Sequence, residues 1–575
     1  MNDNDSHPLN FYSRLVSGNP DNPAATSMLI GAGLTLQDLN KAQVGVLSTG
    51  FKLNTCNMHL NNLASIVEKS IWDAGLVGGT FHASGVSDGI SMGTDGMRAS
   101  LPSRDAIADL VELHVTGEHY DGVIVVPGCD KQMPGSVMAL ARLNRPGFML
   151  YGGSIAPGHL DGDDLTIVSS FQARSAFNQG LITRERYDQI IQKSCPGAGA
   201  CGGLFTANTM ASAIEAMGIG LPYTASNPAV SKQKMQECYD AGASIKNLLQ
   251  KGIKPRDIMT KEAFDDAMVM VTVLAGSTNA ALHLPAMAHA AGFEYTLDDI
   301  QGVSERTPVL GNFTPSGKYA MQDLHNVGGL PALMRYLLDN HMLHGDRITA
   351  TGKTLEENLR NVQPVPLDEI ISPLENPLKS TGHIQIYKGN LGTAVSKITG
   401  KEGTYFKGQA RVFDSEQAAV NAYDHGEIVP NTVIVIRYEG PVGGPGMKEI
   451  LKLTSSISGD PRLKGKVAYI TDARFSGGSD GFILGHVHPE AQIGGNLAFV
   501  KDGDYIEIDA SNNSFNLLVD DETLVTRMRG WEAPALKVTQ GALLKYAYNV
   551  SQANKGCITD EYRPNAIRIV PQSKL

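Results

Sequence analysis

Apolar residues recur at helical spacing over 57–72, NMHLNNLASIVEKSIW, where Leu60, Leu63, Ala64, Val67 and Ile71 line one face. Asn57 is placed to cap that helix, which puts Cys56 at its start. The same spacing predicts helices from Ser103 (SRDAIADLVELHV), over 132–143 (QMPGSVMALARL) and over 204–218 (LFTANTMASAIEAMG). Two short unbroken apolar runs, DGVIVV ending at Val126 and GFMLYGG from Gly147, read as buried strands. This strand–helix alternation predicts an α/β fold. The stretch from 271, VTVLAGSTNAALHLPAMAHAAG, reads as a strand or buried helix, a tight turn and a helix. Residues 77–97, VGGTFHASGVSDGISMGTDGM, carry glycines at 78, 79, 85, 89, 93 and 96 and read as functional loop rather than core.

The pattern changes after residues 361–381, NVQPVPLDEIISPLENPLKST, which hold four prolines and little periodicity. Short strands then dominate: HIQIY at 383, TVIVIRY at 432, KVAYIT at 466 and YIEIDA at 505. The expected organisation is an N-terminal α/β domain over 1–365, a linker over 366–381 and a β-rich domain over 382–575.

Composition narrows the class. A chain of 575 residues exceeds what one core holds. A net charge of −11 argues against a dominant nucleic-acid footprint. No apolar run is long enough to span a membrane, and MNDNDSHPLNFYSRL has no signal-peptide core. The expectation is a cytoplasmic protein, or an organellar one from which a transit segment has been removed. Six cysteines, at 56, 129, 195, 201, 238 and 557, are too sparse for a disulfide scaffold and form no CxxC pair.

Candidate chemistry begins at VIVVPGCDKQMPG, 123–135, where a thiol, a carboxylate and an amine follow a strand. Cys56, Cys129 and Cys201 each fall at a predicted loop-to-helix junction, where amides and the helix dipole favour thiolate. Three thiolates can hold an iron–sulfur cluster with one iron open; the alternative is three buried apolar thiols. Asp88 and Asp130 have the hard oxygens that Mg²⁺ takes, or they cap turns. Lys131 beside a cation must ion-pair or be carbamylated; otherwise it is a surface charge. RYEGPVGGPGMKE (437–449) and ITDARFSGGSDGFILGHVHPE (470–490) follow strands and add Glu449 and Ser476. His486 and His488 would share a strand face. TATGKT, 349–354, lacks the first glycine of a phosphate loop, since residue 347 is Arg. GAGACG, 197–202, follows Cys195-Pro196 rather than a strand and is no dinucleotide site.

The motifs NTCNMHL, GVSDGISMGTDGMRASLPSR, PGCDKQMPG, CPGAGACGGLFTANTM, GSTNAALHL, YEGPVGGPGM and TDARFSGGSDGFILGHVHPE resemble the dihydroxy-acid dehydratases, a family that includes sugar-acid and phosphogluconate dehydratases. The resemblance spans about 20 to 560. It implies a large α/β domain, a C-terminal β-barrel-like domain and a homodimer. The implied reaction is dehydration of a 2,3-dihydroxy acid to a 2-keto acid. The implied substrates are 2,3-dihydroxy-isovalerate and its methylpentanoate homologue, in valine and isoleucine synthesis. A sugar-acid (aldonate) substrate and a non-catalytic scaffold or iron sensor are the alternatives. Carried over by motif, Cys56, Cys129 and Cys201 hold a [2Fe-2S] cluster, with [4Fe-4S] as the alternative. Asp88, Asp130, Glu449 and carbamylated Lys131 hold Mg²⁺, Ser476 is the base, and Cys195 is a spare structural thiol. Phe51-Lys52, Ala473 and His488 depart from the family pattern. No partner beyond the small-molecule acid and a second copy is expected, neither nucleic acid nor membrane.

Overall fold

The computed structural model describes residues 8–398, 403–476 and 481–561. Its N-terminal sheet has four parallel strands, β1 (Gln43–Ser48), β2 (Val77–His82), β3 (Gly122–Val126) and β4 (Gly147–Met149), in the order β2-β1-β3-β4. β1, β3 and β4 are buried along their whole length. Helices cover both faces of such a sheet, which is why the strands read as unbroken apolar runs. The covering helices include α1 (Leu60–Asp73), α2 (Ser100–Gly117), α3 (Gln132–Leu143) and α4 (Thr206–Met217). α4 is buried at every position, in keeping with its run of small residues. The loops carrying Cys56 and Cys129 leave the C-terminal ends of β1 and β3, where open α/β sheets place ligands.

Three local expectations are corrected. Val77–His82 is a strand, not loop. Its Gly78 lies so close under α1 that a Cβ would stand 3.0 Å from the Glu68 carbonyl oxygen. Glycine there marks close packing, not irregularity. α2 begins at Ser100 rather than Ser103. α1 begins at Leu60 with no side-chain cap; Asn57 instead donates to the Thr49 carbonyl at 2.6 Å. Of the two readings at 271, the buried helix holds: Lys261–Val273 is followed by a turn and the helix Ala280–Ala291.

The second region is a closed barrel of eight strands. These are β5 (Ile384–Gly389), β6 (Gly392–Lys397), β7 (Tyr405–Phe413), β8 (Thr432–Ile436), β9 (Val467–Thr471), β10 (Phe482–His488), β11 (Tyr505–Asp509) and β12 (Ser514–Leu517). Around the barrel they run β8-β9-β10-β6-β5-β12-β11-β7 and back to β8. β7 through β10 are mutually parallel, which requires crossovers. Helices Glu416–Asp424 and Lys452–Ser458 lie in two of them. TVIVI shows the period: Val433 and Val435 fill the barrel, while Ile434 and Ile436 pack under those helices. Ile384, Ile386 and Val395 of the barrel wall join the N-terminal core, and so does Ile371 of the proline-rich segment. Among the described residues, no helix is long and apolar enough to cross a membrane.

Candidate active site

The three cysteine loops are tied to one another by polar side chains. The Gln132 Oε1 at the start of α3 accepts from Thr49 Oγ1 (2.8 Å), Asn57 Nδ2 (2.8 Å), Cys129 N (2.9 Å) and Gly128 N (3.2 Å). One oxygen thus fixes the loop after β1 against the loop after β3. Gly128 is required at the junction, because a Cβ there would sit 2.1 Å from the Cys56 carbonyl oxygen. The third loop joins through Gly199, whose N–H donates to the Thr55 carbonyl at 2.9 Å, and through Asn208 of α4, which donates to the Cys201 carbonyl. Tyr151 in turn donates to Asn208 Oδ1 at 2.9 Å.

The thiols themselves correct an expectation. Cys129 is pushed well above the ordinary thiol range by its hydrogen bond with Cys56, by burial and by the nearby acidic groups. Cys201 is pushed well up by burial and then by Cys56 and Asp130. Cys129 and Cys201 thus resist becoming thiolates, and the loop-to-helix position does not overcome that. A bound metal would displace those protons.

The carboxylates converge beside the thiols. Ligand atoms of Asp88, Cys129 and Asp130 all lie within 4.8 Å of one another. Lys131 Nζ reaches Asp88 Oδ2 at 2.7 Å, Asp130 Oδ2 at 2.9 Å and Glu449 Oε1 at 3.1 Å. Lys131 is wholly buried, so it is no surface charge. Burial alone would lower its pKa, but Asp130, Asp88 and Glu449 together drive it up. Asp88 is raised by burial and by Asp130, with Lys131 and Arg474 opposing; its Oδ1 accepts from Ser100 Oγ at 2.5 Å. The ammonium therefore occupies the centre of three hard carboxylates drawn from both halves of the chain. Hard oxygens beside soft sulfurs are the donor sets for two different metals.

Ser476 follows the two-stranded pair Glu449–Ile450 and Arg474–Phe475, in which Glu449 is the direct partner of Arg474. Its N–H donates to the Ile450 carbonyl at 3.1 Å. The rest of its glycine loop, 477–480, lies outside the described residues. A cavity of about 1010 Å³ is lined by Cys56, Cys129, Cys201, Asp88, Asp130, Glu449 and Ser476, so it gathers every predicted site residue except Lys131, which lies behind the carboxylates. Cys195 also reaches this cavity, from an exposed position. His486 and His488 are not among the lining residues. A bulge between Gly485 and His488, with His486 at φ 58°, interrupts the alternation that would have put them on one face. Thr354 of TATGKT caps the helix Leu355–Leu359.

Sequence reasoning missed Arg474 and Asn279. Arg474 Nη1 donates to Glu449 Oε1 at 2.8 Å and to Asn279 Oδ1 at 3.2 Å. Asn279 Nδ2 donates to Glu449 Oε1 at 2.9 Å and to Thr206 Oγ1 at 2.8 Å. The one signal in sequence is a charged residue just after an apolar strand, in TDARFS.

Comparison with known sequences decides between an enzyme of known type and a new assembly of these groups. The profile for the dihydroxy-acid/6-phosphogluconate dehydratase N-terminal region matches residues 41–358, and the profile for the C-terminal region matches 369–557. The chain belongs to this family. Relatives named dihydroxy-acid dehydratase include one from Flavobacterium psychrophilum, 55% identical over 96% of this chain and 99% of its own length. One from Francisella tularensis subsp. novicida is 54% identical over the same shares. One from Lactococcus lactis subsp. cremoris is 52% identical over 97% and 98%. As a family member the chain is a hydro-lyase, and the β-barrel that the resemblance implied is present and closed. The departure at Ala473 is accommodated: its backbone is not left-handed, and its methyl is buried in the core under the barrel helices.

Proposed function

We propose that the chain dehydrates 2,3-dihydroxy-isovalerate and 2,3-dihydroxy-3-methylpentanoate to their 2-keto acids, in branched-chain amino-acid synthesis. The observation that carries this is one cavity lined by Cys56, Cys129 and Cys201, three carboxylates and Ser476, in a chain 52–55% identical over nearly full length to dihydroxy-acid dehydratases. Cys56, Cys129 and Cys201 would hold the iron–sulfur cluster, as [2Fe-2S], which leaves Cys195 out. Asp88, Asp130, Glu449 and Lys131 as its carbamate would hold Mg²⁺. When bound, the two groups supply electrophilic centres for the substrate's oxygens.

The chain's own residues do the rest. Ser476 Oγ, as the alkoxide, takes the proton from C2 and passes it to the departing C3 hydroxyl, which leaves as water and restores the alkoxide. The enol that remains loses the proton of its C2 hydroxyl, gains one at C3 and becomes the 2-keto acid. Apolar side chains such as Ile155, Ile167, Phe171, Phe205 and Leu451 share the cavity and suit branched methyls. An aldonate would leave hydroxyls unpaired against them, at a cost in affinity. We also hold that the protein is a homodimer in the cytoplasm, with its two regions divided at 366–381.

The test is anaerobic reconstitution with iron, sulfide and Mg²⁺, then keto-acid formation from both substrate types. Preference for the branched dihydroxy acids is expected. Preference for an aldonate, or no turnover of either in a fully loaded protein, would overturn the proposal.

A further inference from the structure

Glu449 is the only carboxylate of the cluster supplied by the second region, and the way it is held is unusual. Its Oε1 takes donors from three sides: Lys131 Nζ at 3.1 Å, Asn279 Nδ2 at 2.9 Å and Arg474 Nη1 at 2.8 Å. Arg474 is wholly buried and does not line the cavity. Its Nε donates to the Met447 carbonyl at 2.7 Å, and its Nη1 also reaches Asn279 Oδ1 at 3.2 Å. Asn279 continues to Thr206 Oγ1 at 2.8 Å, and Thr206 Oγ1 lies 3.0 Å from Ser277 Oγ. Thr206 opens α4, five residues after Cys201. On the other side, Arg474 sits two residues before Ser476 on a strand paired in register with Glu449.

We infer that Asn279 and Arg474 form a clamp across the two halves of the chain. It engages one oxygen of Glu449 so that the other is presented to the divalent cation, and it sets the distance from that cation to Ser476. The inference rests on the reading of Asp88, Asp130 and Glu449 as the cation site. Both residues are positioning residues. A guanidinium with three fixed donor directions suits this task and an ammonium does not. Among the described residues Arg474 Nη2 is buried with no hydrogen-bond partner, so the guanidinium is held by its other donors at a cost in desolvation. Outer partners of metal-binding carboxylates carry affinity through orientation, and their loss weakens binding by about 10–100-fold.

The experiment uses cluster-loaded protein depleted of Mg²⁺ and titrated with Mn²⁺ by electron paramagnetic resonance. The variants are N279A, R474K, the double variant and E449Q. N279A and R474K should each weaken Mn²⁺ about 10–100-fold with the visible absorption of the cluster unchanged. The double variant should lose less than the product of the two, because the residues act as one unit. With Mg²⁺ saturating, kcat should stay depressed while KM moves little, since Ser476 is displaced along with Glu449. R474K keeps charge and bulk, so a folded R474K within twofold of the parent for Mn²⁺ would overturn the clamp. If E449Q binds Mn²⁺ normally, the cation-site reading itself fails. If E449Q loses Mn²⁺ while N279A and R474K keep it, only the clamp fails.

Discussion

Replacing Lys131 with methionine tests the electrostatics of the site without reference to turnover. The ammonium lies 2.7, 2.9 and 3.1 Å from three buried carboxylates. Each contact is a gross attraction of about 5 kcal/mol at an effective dielectric constant of about 20. Most of that is offset by the cost of burying Lys131 itself. Deleting one partner of a buried ionic group costs about 3–5 kcal/mol net. Here Arg474 is the nearest remaining cation, and it contacts Glu449 alone of the three. Metal-free K131M should therefore be ~3–5 kcal/mol less stable than the parent at about pH 7.5. The deficit should shrink on acidification. Asp88 is already raised by burial and by Asp130, and the variant loses the downward pull of Lys131. A carboxyl whose folded pKa lies above its unfolded value stabilises fully below the unfolded pKa, and that contribution is lost as pH rises through the folded one. Mg²⁺ at about 100 times its dissociation constant should return ~2.7 kcal/mol to the variant. Urea unfolding followed by circular dichroism at about pH 5.5 and 7.5, on metal-stripped protein freed of chelator and with or without added Mg²⁺, measures all three. Equal stability at the higher pH, or a deficit that grows on acidification, would refute the reasoning.

Other substitutions separate the parts of the site. Serine at Cys56, Cys129 or Cys201 should abolish iron binding, while Cys195→Ser should keep most of it, as read by iron content and visible absorption; equal loss in all four would remove Cys195 from its spare role. Ser476→Ala should keep fold and metals and lose about 10²–10⁴-fold in single-turnover rate; retention of a tenth of the activity would leave Ser476 no part as base. Gly128→Ala forces a methyl to 2.1 Å from the Cys56 carbonyl oxygen, so it should cost ~1–3 kcal/mol and lower iron retention together. Far from the site, burial raises Glu215 from 4.5 to about 8, so stability should fall as pH rises from about 4.5 to 8, by up to ~5 kcal/mol. Unfolding free energies flat across that window would contradict this.

How much was legible in the sequence follows from how local each signal is. Cys129, Asp130 and Lys131 stand where an apolar run meets Pro127-Gly128, and a strand exit is a local pattern. TVIVI and KVAYIT were visible as strands for the same reason. Closure of the barrel was not, because it depends on pairings such as that of β10 with β6, which composition does not record. Val77–His82 was misread because glycine serves tight packing as well as turns, and only the position of α1 distinguishes the two. Asn57 looked like a cap, but its partners Thr49 and Gln132 lie on other elements. Thiolate at Cys129 and Cys201 failed because a local dipole was weighed without burial and the neighbouring thiols, which arrive from distant loops. Arg474 and Asn279 stand 195 residues apart in the chain and meet only in the fold.

The central claim is that one cavity holds two donor sets, soft sulfur and hard oxygen, with Ser476 beside them. Anomalous diffraction from crystals of protein reconstituted with iron and sulfide and loaded with Mn²⁺ tests it most directly, with maps at the iron and manganese edges. The account predicts iron bonded to the sulfurs of Cys56, Cys129 and Cys201, and manganese bonded to oxygens of Asp88, Asp130 and Glu449. Iron ligated by Cys195 in place of any of the three, or manganese bound away from those carboxylates, would contradict it.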